Sequence, residues 1–364
     1  MLSADHAARR DALRSLVRTE GWDAMLVTDL LNVRYLTGFT GSNAALLVSA
    51  SDTAAGEDGT VICTDGRYVT QVAAQVPDLR AVIDRAGPVR LLADTPARRV
   101  GFESHVVSVD DHARWAEAAD VELVRAARPV EQLRVVKDEV EVALLREACG
   151  VADRALSTLI ERGSLRPGRT EKDVGLELDH TMLELGADGI SFETIVATGA
   201  NSAVPHHRPD ATVLQHGDLL KLDFGAEVGG YHSDMTRTVV LGAAQDWQRE
   251  LYELVARSQA AGREALRPGA EVRAVDGAAR AVIDDAGHGE LFLHGLGHGV
   301  GLEIHEAPGI GATGTGTLLA GAAVTVEPGV YFSGRGGVRI EDTLIVREDE
   351  PELLTLTSKD FTVL

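Results

Sequence analysis

The sequence predicts two domains, an α/β domain over residues 1–127 and a domain built by internal duplication over residues 128–364. Three observations carry this prediction. A chain of 364 residues is too long for one ordinary hydrophobic core. Short β-like runs alternate with helical patterns in the first third, which is typical of α/β domains. Later, one series of short motifs occurs twice in the same order, which indicates a duplication.

The first domain is defined by runs rich in aliphatic and β-branched residues. These predict strands at DAMLVTD (23–29), NAALLVS (43–49), TVICTD (60–65), RVGFES (99–104) and VELVRA (121–126). Amphipathic stretches at 67–76 and 110–119 predict helices between them. The alternation favours a largely parallel or mixed sheet, and Pro129 marks a plausible domain boundary.

The bulk composition restricts the partners and the location. With 45% hydrophobic and 25% charged residues, the chain has an ordinary globular composition. A formal net charge of -21 argues against nucleic acid and anionic membranes, which are themselves polyanions. No transmembrane run or signal h-region is present, and two cysteines are too few for a disulfide framework. We therefore expect a cytoplasmic protein.

The second domain opens with a predicted amphipathic helix between Lys137 and Arg162. Its apolar face is expected at positions 140, 144, 148, 152, 155, 156 and 159. LRPG follows at 165–168 and occurs again at 266–269. Each copy precedes an amphipathic stretch that closes at a glycine, Gly186 or Gly287. The same helical unit is therefore predicted twice.

Two further pairs of motifs extend the repeat. LKLDFG (220–225) resembles VTVEPG (324–329), and SDMTRTVV (233–240) resembles IEDTLIV (340–346). Chance similarity of short strings is the alternative explanation. However, the four matches keep their order and their acidic positions coincide, which favours duplication.

The first pair of matched acids is predicted to share one face of a hairpin. Gly229-Gly230 is typical of a two-residue hairpin turn, and pairing about it sets Gly225 opposite Asp234. Asp223 shares the face of Gly225 because side chains alternate along a strand. Two surface acids would be the commoner explanation for one such pair. The apolar flanks instead indicate a buried sheet, where carboxylates need a cation.

The second half repeats this arrangement, since Glu327 and Glu341 flank the turn-rich YFSGRGGV with matching parity. Four carboxylates at equivalent places in two halves predict one central site lined from both sides. One metal ion rarely needs so many acids, whereas two ions about 3.5–4 Å apart do.

HGLGHGVGLEIHE (294–306) brings histidines towards the same site. His294 and His298 have the spacing of ligands on one helix face, but glycines at every second position would each cost roughly 1 kcal/mol in a helix. We therefore predict an extended segment whose backbone is closely approached by another group. A mainly oxygen ligand set with one imidazole suits Mn²⁺, Co²⁺ or Fe²⁺ at least as well as Zn²⁺.

These residues resemble the pita-bread metallopeptidases, which include Xaa-Pro aminopeptidases, Xaa-Pro dipeptidases, methionine aminopeptidases and creatinases. The resemblance covers about residues 130–360 and implies an α+β pita-bread catalytic domain with an internal pseudo-two-fold. It implies two divalent metal ions per chain, with Mn²⁺ expected first and Co²⁺, Zn²⁺ or Fe²⁺ as alternatives. The implied ligands are Asp223, Asp234, His298, Glu327 and Glu341, with Asp234 and Glu341 bridging the ions.

The resemblance also implies a proline-specific activity. NVRYLTGFTGSNAALLV (32–48) and TDGRY (64–68) are similar to the creatinase-like N-terminal domain of the proline-specific members. In PHHRP (205–209), His206 takes the position of an active-site histidine of those members. His294 and His305 match substrate and transition-state histidines, and Arg339 in VRIED matches an arginine of the same branch.

The expected function is therefore a dinuclear-metal exopeptidase that hydrolyses the N-terminal Xaa-Pro bond of peptides, an Xaa-Pro aminopeptidase. We expect Glu327 to carry the proton, with His206 or His305 stabilising the oxyanion or protonating the proline nitrogen. Proline-containing peptides are the expected substrates, and the family resemblance suggests a homodimer.

Three alternatives remain at this point. An Xaa-Pro dipeptidase (prolidase) would close the site beyond proline, although GFTGSN resembles the aminopeptidase group somewhat more closely. A creatinase-like amidinohydrolase and a non-catalytic peptide-binding module are more distant. Both are expected to lack metal ligands, whereas here all five positions are filled.

Overall fold

The structure, a computed structural model, describes residues 4–51 and 59–364. The chain forms two compact units, of which the first ends at Arg134 and the second begins at Val135. The helix Pro129–Arg134 lies beyond the predicted boundary and belongs to the first unit, because Arg134 Nη1 donates to Asn32 Oδ1 at 2.8 Å.

The first unit has the α/β architecture that the alternating runs predict. Its helices are α1 (His6–Thr19), α2 (Leu30–Thr37), α3 (Val69–Gln75), α4 (Gly87–Asp94), α5 (Val109–Ala118) and α6 (Pro129–Arg134). Its strands are β1 (Ala24–Val27), β2 (Ala44–Ser49), β3 (Val61–Thr64), β4 (Arg80–Ile83), β5 (Arg99–Glu103) and β6 (Glu122–Ala126). They pair in the order β4-β3-β2-β1-β5-β6.

The sheet is mixed, since β2 pairs antiparallel with both β1 and β3 and the other pairs are parallel. All five predicted strands are present. The sequence runs did not predict β4, whose side chains are mainly exposed at the edge of the sheet. Its residues, RAVI, form an apolar run like those of the predicted strands, so the prediction was incomplete at this edge.

The second unit contains two helix pairs and several small sheets. Its helices are α7 (Glu139–Glu161), α8 (Glu171–Glu184), α9 (Asp246–Ala265) and α10 (Val272–Asp285). The strands of its first half are β7 (Gly189–Ile190), β8 (Ile195–Thr198), β9 (Leu219–Phe224), β10 (Ala226–Val228), β11 (Tyr231–His232) and β12 (Met235–Val240). Those of its second half are β13 (Gly297–Gly299), β14 (Glu306–Ile310), β15 (Ala323–Val326), β16 (Gly329–Phe332), β17 (Gly336–Arg339), β18 (Asp342–Ile345) and β19 (Glu352–Leu353).

Helix α7 begins where the sequence predicts it. Asp138 caps the helix by accepting from the backbone of Val140 and Glu141, and the Glu141 side chain completes the capping box. The buried face differs from the prediction in the first two turns, where Val142 and Leu145 are buried. Positions 140 and 144 are only partly buried, because they lie at the edge of the apolar stripe.

The predicted duplication is confirmed by the element order. Each LRPG copy connects the two helices of a pair, α7 to α8 and α9 to α10. Gly186 and Gly287 follow the second helix of each pair with φ of 104° and 78°, a left-handed backbone that favours glycine. The antiparallel pair β9–β12 has its counterpart in β15–β18. Each pair of helices packs with the strands of its own half to form an apolar core.

Both cysteines, Cys63 and Cys149, are free thiols in buried positions. Over the described residues, every helix is too short or too polar to cross a lipid bilayer.

Candidate active site

The first pair of acids lies on the hairpin in the predicted register. Val228 pairs with Tyr231 at the turn, and Thr236 pairs with Asp223 farther along. Asp234 is therefore the diagonal neighbour of Asp223 on one face of the two strands. Gly225 is required here, since an added Cβ would lie 1.8 Å from the Ser233 carbonyl oxygen.

The strand register also brings the second pair of acids together, but it sets them directly opposite each other. Val326 pairs with Asp342 and Gly329 pairs with Arg339, so both sides of the irregular segment keep one register. That register sets Glu327 opposite Glu341. The parity predicted across YFSGRGGV is confirmed, although the second pair is directly opposite and the first is diagonal.

All nine residues predicted for the site line one cavity of about 470 Å³. They are His206, Asp223, Asp234, His294, His298, His305, Glu327, Arg339 and Glu341. Asp234, His298 and Glu341 offer ligand atoms that all lie within 4.8 Å of one another. The structure thus brings the predicted residues together, while their individual roles stay predictions.

The centre of the glycine-rich histidine segment, Gly297–Gly299, is strand β13 and lies between two other strands, which agrees with the extended backbone predicted there. Gly299 of β13 pairs with Glu306 of β14 on one side and with Val324 of β15 on the other. A Cβ on Gly297 would lie 2.1 Å from the Thr325 carbonyl oxygen, and one on Gly299 would be equally close to the Ala307 oxygen. Neighbouring backbone therefore requires these glycines, and their absent side chains let His298 approach the acids.

Replacing Gly297 with alanine is expected to displace His298 and to weaken metal binding together with stability. The added Cβ meets backbone atoms, which cannot rotate away as a flexible side chain can. We expect a loss of about 1–3 kcal/mol in the free energy of unfolding, measured by urea titration beside metal content. Gly277→Ala is the matched control, since nothing lies within 4 Å of its added Cβ. A Gly297→Ala protein with unchanged stability and metal content would contradict this account.

His298 is oriented with one nitrogen towards the carboxylates. Its Nδ1 donates to the Gly299 carbonyl oxygen at 2.9 Å, so the proton resides there and the Nε2 lone pair is available. Nε2 lies 3.5 Å from Asp234 Oδ2 and 3.4 Å from Glu327 Oε1. Burial lowers the pKa of His298 to about 4, which keeps the ring neutral. A neutral, fixed imidazole facing carboxylates suits a metal ligand.

The carboxylates repel one another in a buried place. Burial and the neighbouring Glu341 raise the pKa of Asp234 well above its ordinary value, and burial with Glu327 does the same for Glu341. Burial also raises the pKa of Glu327 to about 7. Such a cluster is costly unless cations neutralise it.

One atom supports this fit to metal directly. Asp223 Oδ1 is buried and, within the described part of the chain, has no hydrogen-bond partner, while Oδ2 accepts from Arg339 Nη2. A buried carboxylate oxygen without a donor is costly, and a cation would satisfy it. Oxygen donors with one imidazole suit Mn²⁺, Co²⁺, Fe²⁺ or Zn²⁺, so the residues present fit the divalent ions that the resemblance implies.

Arg339 is buried and contacts the carboxylate cluster through Asp223. Its Nε donates to Thr236 Oγ1 at 3.0 Å, and its Nη1 donates to Tyr331 Oη at 3.0 Å. Tyr331 in turn donates to His294 Nε2 at 2.8 Å, whose Nδ1 donates to the Gly295 carbonyl oxygen. Both nitrogens of His294 are therefore engaged, so it offers a ring surface to the cavity.

Sequence reasoning missed the residues that support the predicted ones. Thr236 donates to Glu341 Oε2 at 2.6 Å, and Thr325 donates to Glu327 Oε1 at 3.3 Å. Each threonine stands two places from a predicted ligand, so period-two alternation could have found it. Lys221 is buried and donates to the Val204 and Pro205 carbonyl oxygens, which no local signal could indicate.

Other lining residues were not predicted either. They are Phe192, Glu193, Ile195, His207, Arg208 and Ile304, besides two glycines of the histidine segment. His305 is exposed to the cavity with its ring centroid 4.4 Å from that of His298, and His206 is exposed as well. The cavity thus has buried acids at its base and exposed histidines along its side.

Comparison with known proteins identifies the family. The model of metallopeptidase family M24 matches residues 143–348, and that of the Creatinase/Prolidase N-terminal domain matches residues 9–136. An uncharacterized peptidase of Bacillus subtilis, YqhT, is 38% identical over 359 residues, which is 97% of this chain and 99% of that protein.

Two solved structures are similar over nearly their whole length. An Xaa-Pro dipeptidase from Bacillus anthracis has a TM-score of 0.93 at 36% identity, covering 99% of this chain and 100% of that one. An X-Pro aminopeptidase from Thermotoga maritima MSB8 has a TM-score of 0.87 at 32% identity, covering 98% and 99%. The second unit has the pita-bread fold that the residues implied, and the chain belongs to metallopeptidase family M24.

Proposed function

We propose that the protein is an Xaa-Pro aminopeptidase that uses two divalent metal ions per chain, Mn²⁺ first among them. The observation that carries this proposal is the convergence of nine residues from both halves on one cavity, with a buried Asp223 oxygen that has no hydrogen-bond donor among the described residues. The full set of acids argues against a creatinase-like amidinohydrolase and against a binding module without catalysis.

The proposed metal ligands are Asp223, Asp234, His298, Glu327 and Glu341. When bound, divalent ions supply Lewis acidity that polarises a peptide carbonyl and activates water at neutral pH. By the family resemblance Asp234 and Glu341, one from each half of the domain, would be the ligands that the two ions share. Arg339 fixes one oxygen of Asp223, and His298 is held with its Nε2 facing the acids.

The chain's own residues then move the proton and hold the substrate. Glu327 Oε1 accepts from Thr325, so Oε2 is the atom proposed to take up a proton and return it. His206 or His305, exposed to the cavity, would donate to the developing oxyanion or to the proline nitrogen. The enclosed ring of His294 is proposed to contact the substrate.

An Xaa-Pro dipeptidase is the second candidate, because the solved structure with TM-score 0.93 is named as one. The two activities differ in whether the cavity accepts residues beyond proline. We further propose a homodimer, which sedimentation equilibrium would test, and a cytoplasmic location. Two free, buried thiols are compatible with a reducing compartment.

The deciding experiment is hydrolysis of Ala-Pro and Ala-Pro-Ala by purified protein loaded with Mn²⁺. We expect cleavage of the tripeptide, near two metal ions per chain, and loss of turnover after chelation. Cleavage of the dipeptide alone would replace the aminopeptidase by the dipeptidase. Ala-Ala-Ala is the matched control for proline specificity. If neither proline peptide is cut while two ions are bound, the proposed specificity is wrong.

A further inference from the structure

Over residues 4–51 and 59–364, one arginine of the cavity has a charge that is available to a ligand. Arg339 and Arg208 are the two arginines that line the cavity there. Arg339 is buried, and its Nε, Nη1 and Nη2 all donate to protein oxygens. Arg208 is different, because 82% of its side chain is exposed. Among the described residues its ionic partner is Glu193, itself 62% exposed, at 2.9 Å. An exposed pair of this kind contributes little and is easily exchanged.

The backbone that carries Arg208 is fixed by its neighbour. His207 Nε2 lies 2.7 Å from Glu171 Oε2, and the Glu171 side chain is fully buried. Glu171 Oε1 also accepts from Thr198 N at 2.8 Å and from Asn201 Nδ2 at 3.0 Å. One buried carboxylate therefore joins helix α8, the end of β8 and the segment that contains His206 and Arg208. The Arg208 guanidinium is thus exposed, whereas the backbone next to it is held in place by the contact between His207 and Glu171.

The alternation of burial places His206 and Arg208 on the same side of this segment. His206 and Arg208 are exposed and line the cavity, while His207 between them is turned to Glu171 with 14% of its side chain exposed. Residues two apart in an extended chain are at most about 7 Å apart at Cα. His206, one of the two histidines proposed to act at the proline nitrogen, and Arg208 are therefore at most about 7 Å apart at Cα and line the same cavity.

In a short peptide the C-terminal carboxylate lies close to the proline nitrogen of the scissile bond. In Xaa-Pro the carboxylate carbon is two bonds from the proline nitrogen, and in Xaa-Pro-Yaa the carboxylate lies one residue, about 3.5 Å, farther. The four proposed ligand carboxylates would balance the charge of two divalent ions, and the Arg339 guanidinium already donates to Asp223 and other protein oxygens, so these groups leave little free charge for a substrate carboxylate. Glu193, a further acid of the lining, pairs with Arg208. An arginine fork binds a carboxylate through two parallel hydrogen bonds.

We propose that Arg208 binds the free C-terminal carboxylate of dipeptide and tripeptide substrates, and that Glu193 competes with it for the guanidinium. This inference rests on the proposed Xaa-Pro activity and assigns the substrate class, which is short peptides with a free C-terminus. Longer peptides, whose carboxylate lies beyond the reach of Arg208, lose this contact and bind more weakly.

The test compares Arg208→Gln with the wild type on Ala-Pro and on its C-terminal amide, which lacks the charge. We expect KM for Ala-Pro to rise about tenfold or more in the variant, with kcat nearly unchanged, because a charge-assisted hydrogen bond is lost. KM for the amide should change less than about twofold. Arg208→Lys should restore part of the affinity for Ala-Pro, and Glu193→Gln should lower its KM.

Arg273→Gln is the matched control, since Arg273 forms a similar exposed pair with Glu271 at 2.7 Å outside the cavity. Metal content should be equal in all variants. Equal losses on acid and amide, or no loss on either, would overturn the role of Arg208 while leaving the peptidase activity intact. A wild type that cuts Ala-Pro-Ala but neither Ala-Pro nor its amide would overturn this inference alone, whereas one that binds two ions and cuts none of the three would overturn the proposed function as well.

Discussion

Replacing Glu341 with alanine is expected to abolish metal binding and turnover together. Glu341 offers a ligand atom within 4.8 Å of those of Asp234 and His298, and Thr236 orients its Oε2 at 2.6 Å. Losing a proposed bridging carboxylate removes a ligand from both ions at once. Because metal polarisation contributes several kcal/mol to such reactions, kcat/KM should fall by at least about a thousandfold.

Two measurements besides kcat/KM check this result. Metal content should fall from near two ions per chain to well below one. Added Mn²⁺ should raise the melting temperature of the wild type, since a ligand of the native state stabilises it, but not that of the variant. Glu177→Gln is the control, because Glu177 pairs with Ser164 and Arg169 and does not line the cavity. An active, metal-replete Glu341→Ala protein would refute the proposed site.

Replacing Arg237 with methionine is expected to be the most destabilising of the substitutions considered. Arg237 is buried, and its Nη2 lies 2.8 Å from Asp342 Oδ1. It also donates to the carbonyl oxygens of Thr236, Glu341 and Thr357. It therefore joins the strands that carry two proposed ligands to a later segment of the chain.

The expected loss of stability arises because the substitution leaves the Asp342 carboxylate buried without the charge of Arg237. Burial alone would raise the pKa of Asp342, but the charges of Arg237 and Lys359 outweigh it and hold that pKa below its ordinary value. Breaking a buried ion pair typically costs about 3–5 kcal/mol, because a charge is left without full compensation. Urea unfolding of the metal-free protein measures this loss without any contribution from ion binding.

Arg154→Met is the matched control, since Arg154 and Glu147 form an exposed pair at 3.4 Å. A surface substitution of this kind should change stability by less than about 0.5 kcal/mol. If Arg237→Met were no more destabilising than Arg154→Met, the buried network around Asp342 would have no role in stability.

Much of the fold was predictable because its signals are local. Runs rich in aliphatic and β-branched residues predicted β1, β2, β3, β5 and β6, and the Gly229-Gly230 turn fixed the register that sets Asp223 beside Asp234. The glycine spacing of 294–301 predicted an extended segment with close neighbours, which β14 and β15 provide. Edge strand β4 was not predicted, although its residues RAVI form a similar apolar run.

The sequence by itself determined the duplicated halves, the pairs of acids on each half and the parity that turns each pair to one face. These depend on alternation along a strand and on turn chemistry, both of which act over a few residues. The resemblance of those residues to a family then gave the ligand set and the expected proline specificity.

Only the tertiary structure decided which groups meet across long sequence separations. Arg339 reaches Asp223, Tyr331 occupies the second nitrogen of His294, and Glu171 holds His207. Such contacts depend on how the strands and helices pack, and no local pattern encodes the partner of a buried polar group. For this reason the sequence indicated a metal site. It did not indicate that Arg208 has a charge available to a substrate, because that inference depends on the positions of its neighbours in the structure.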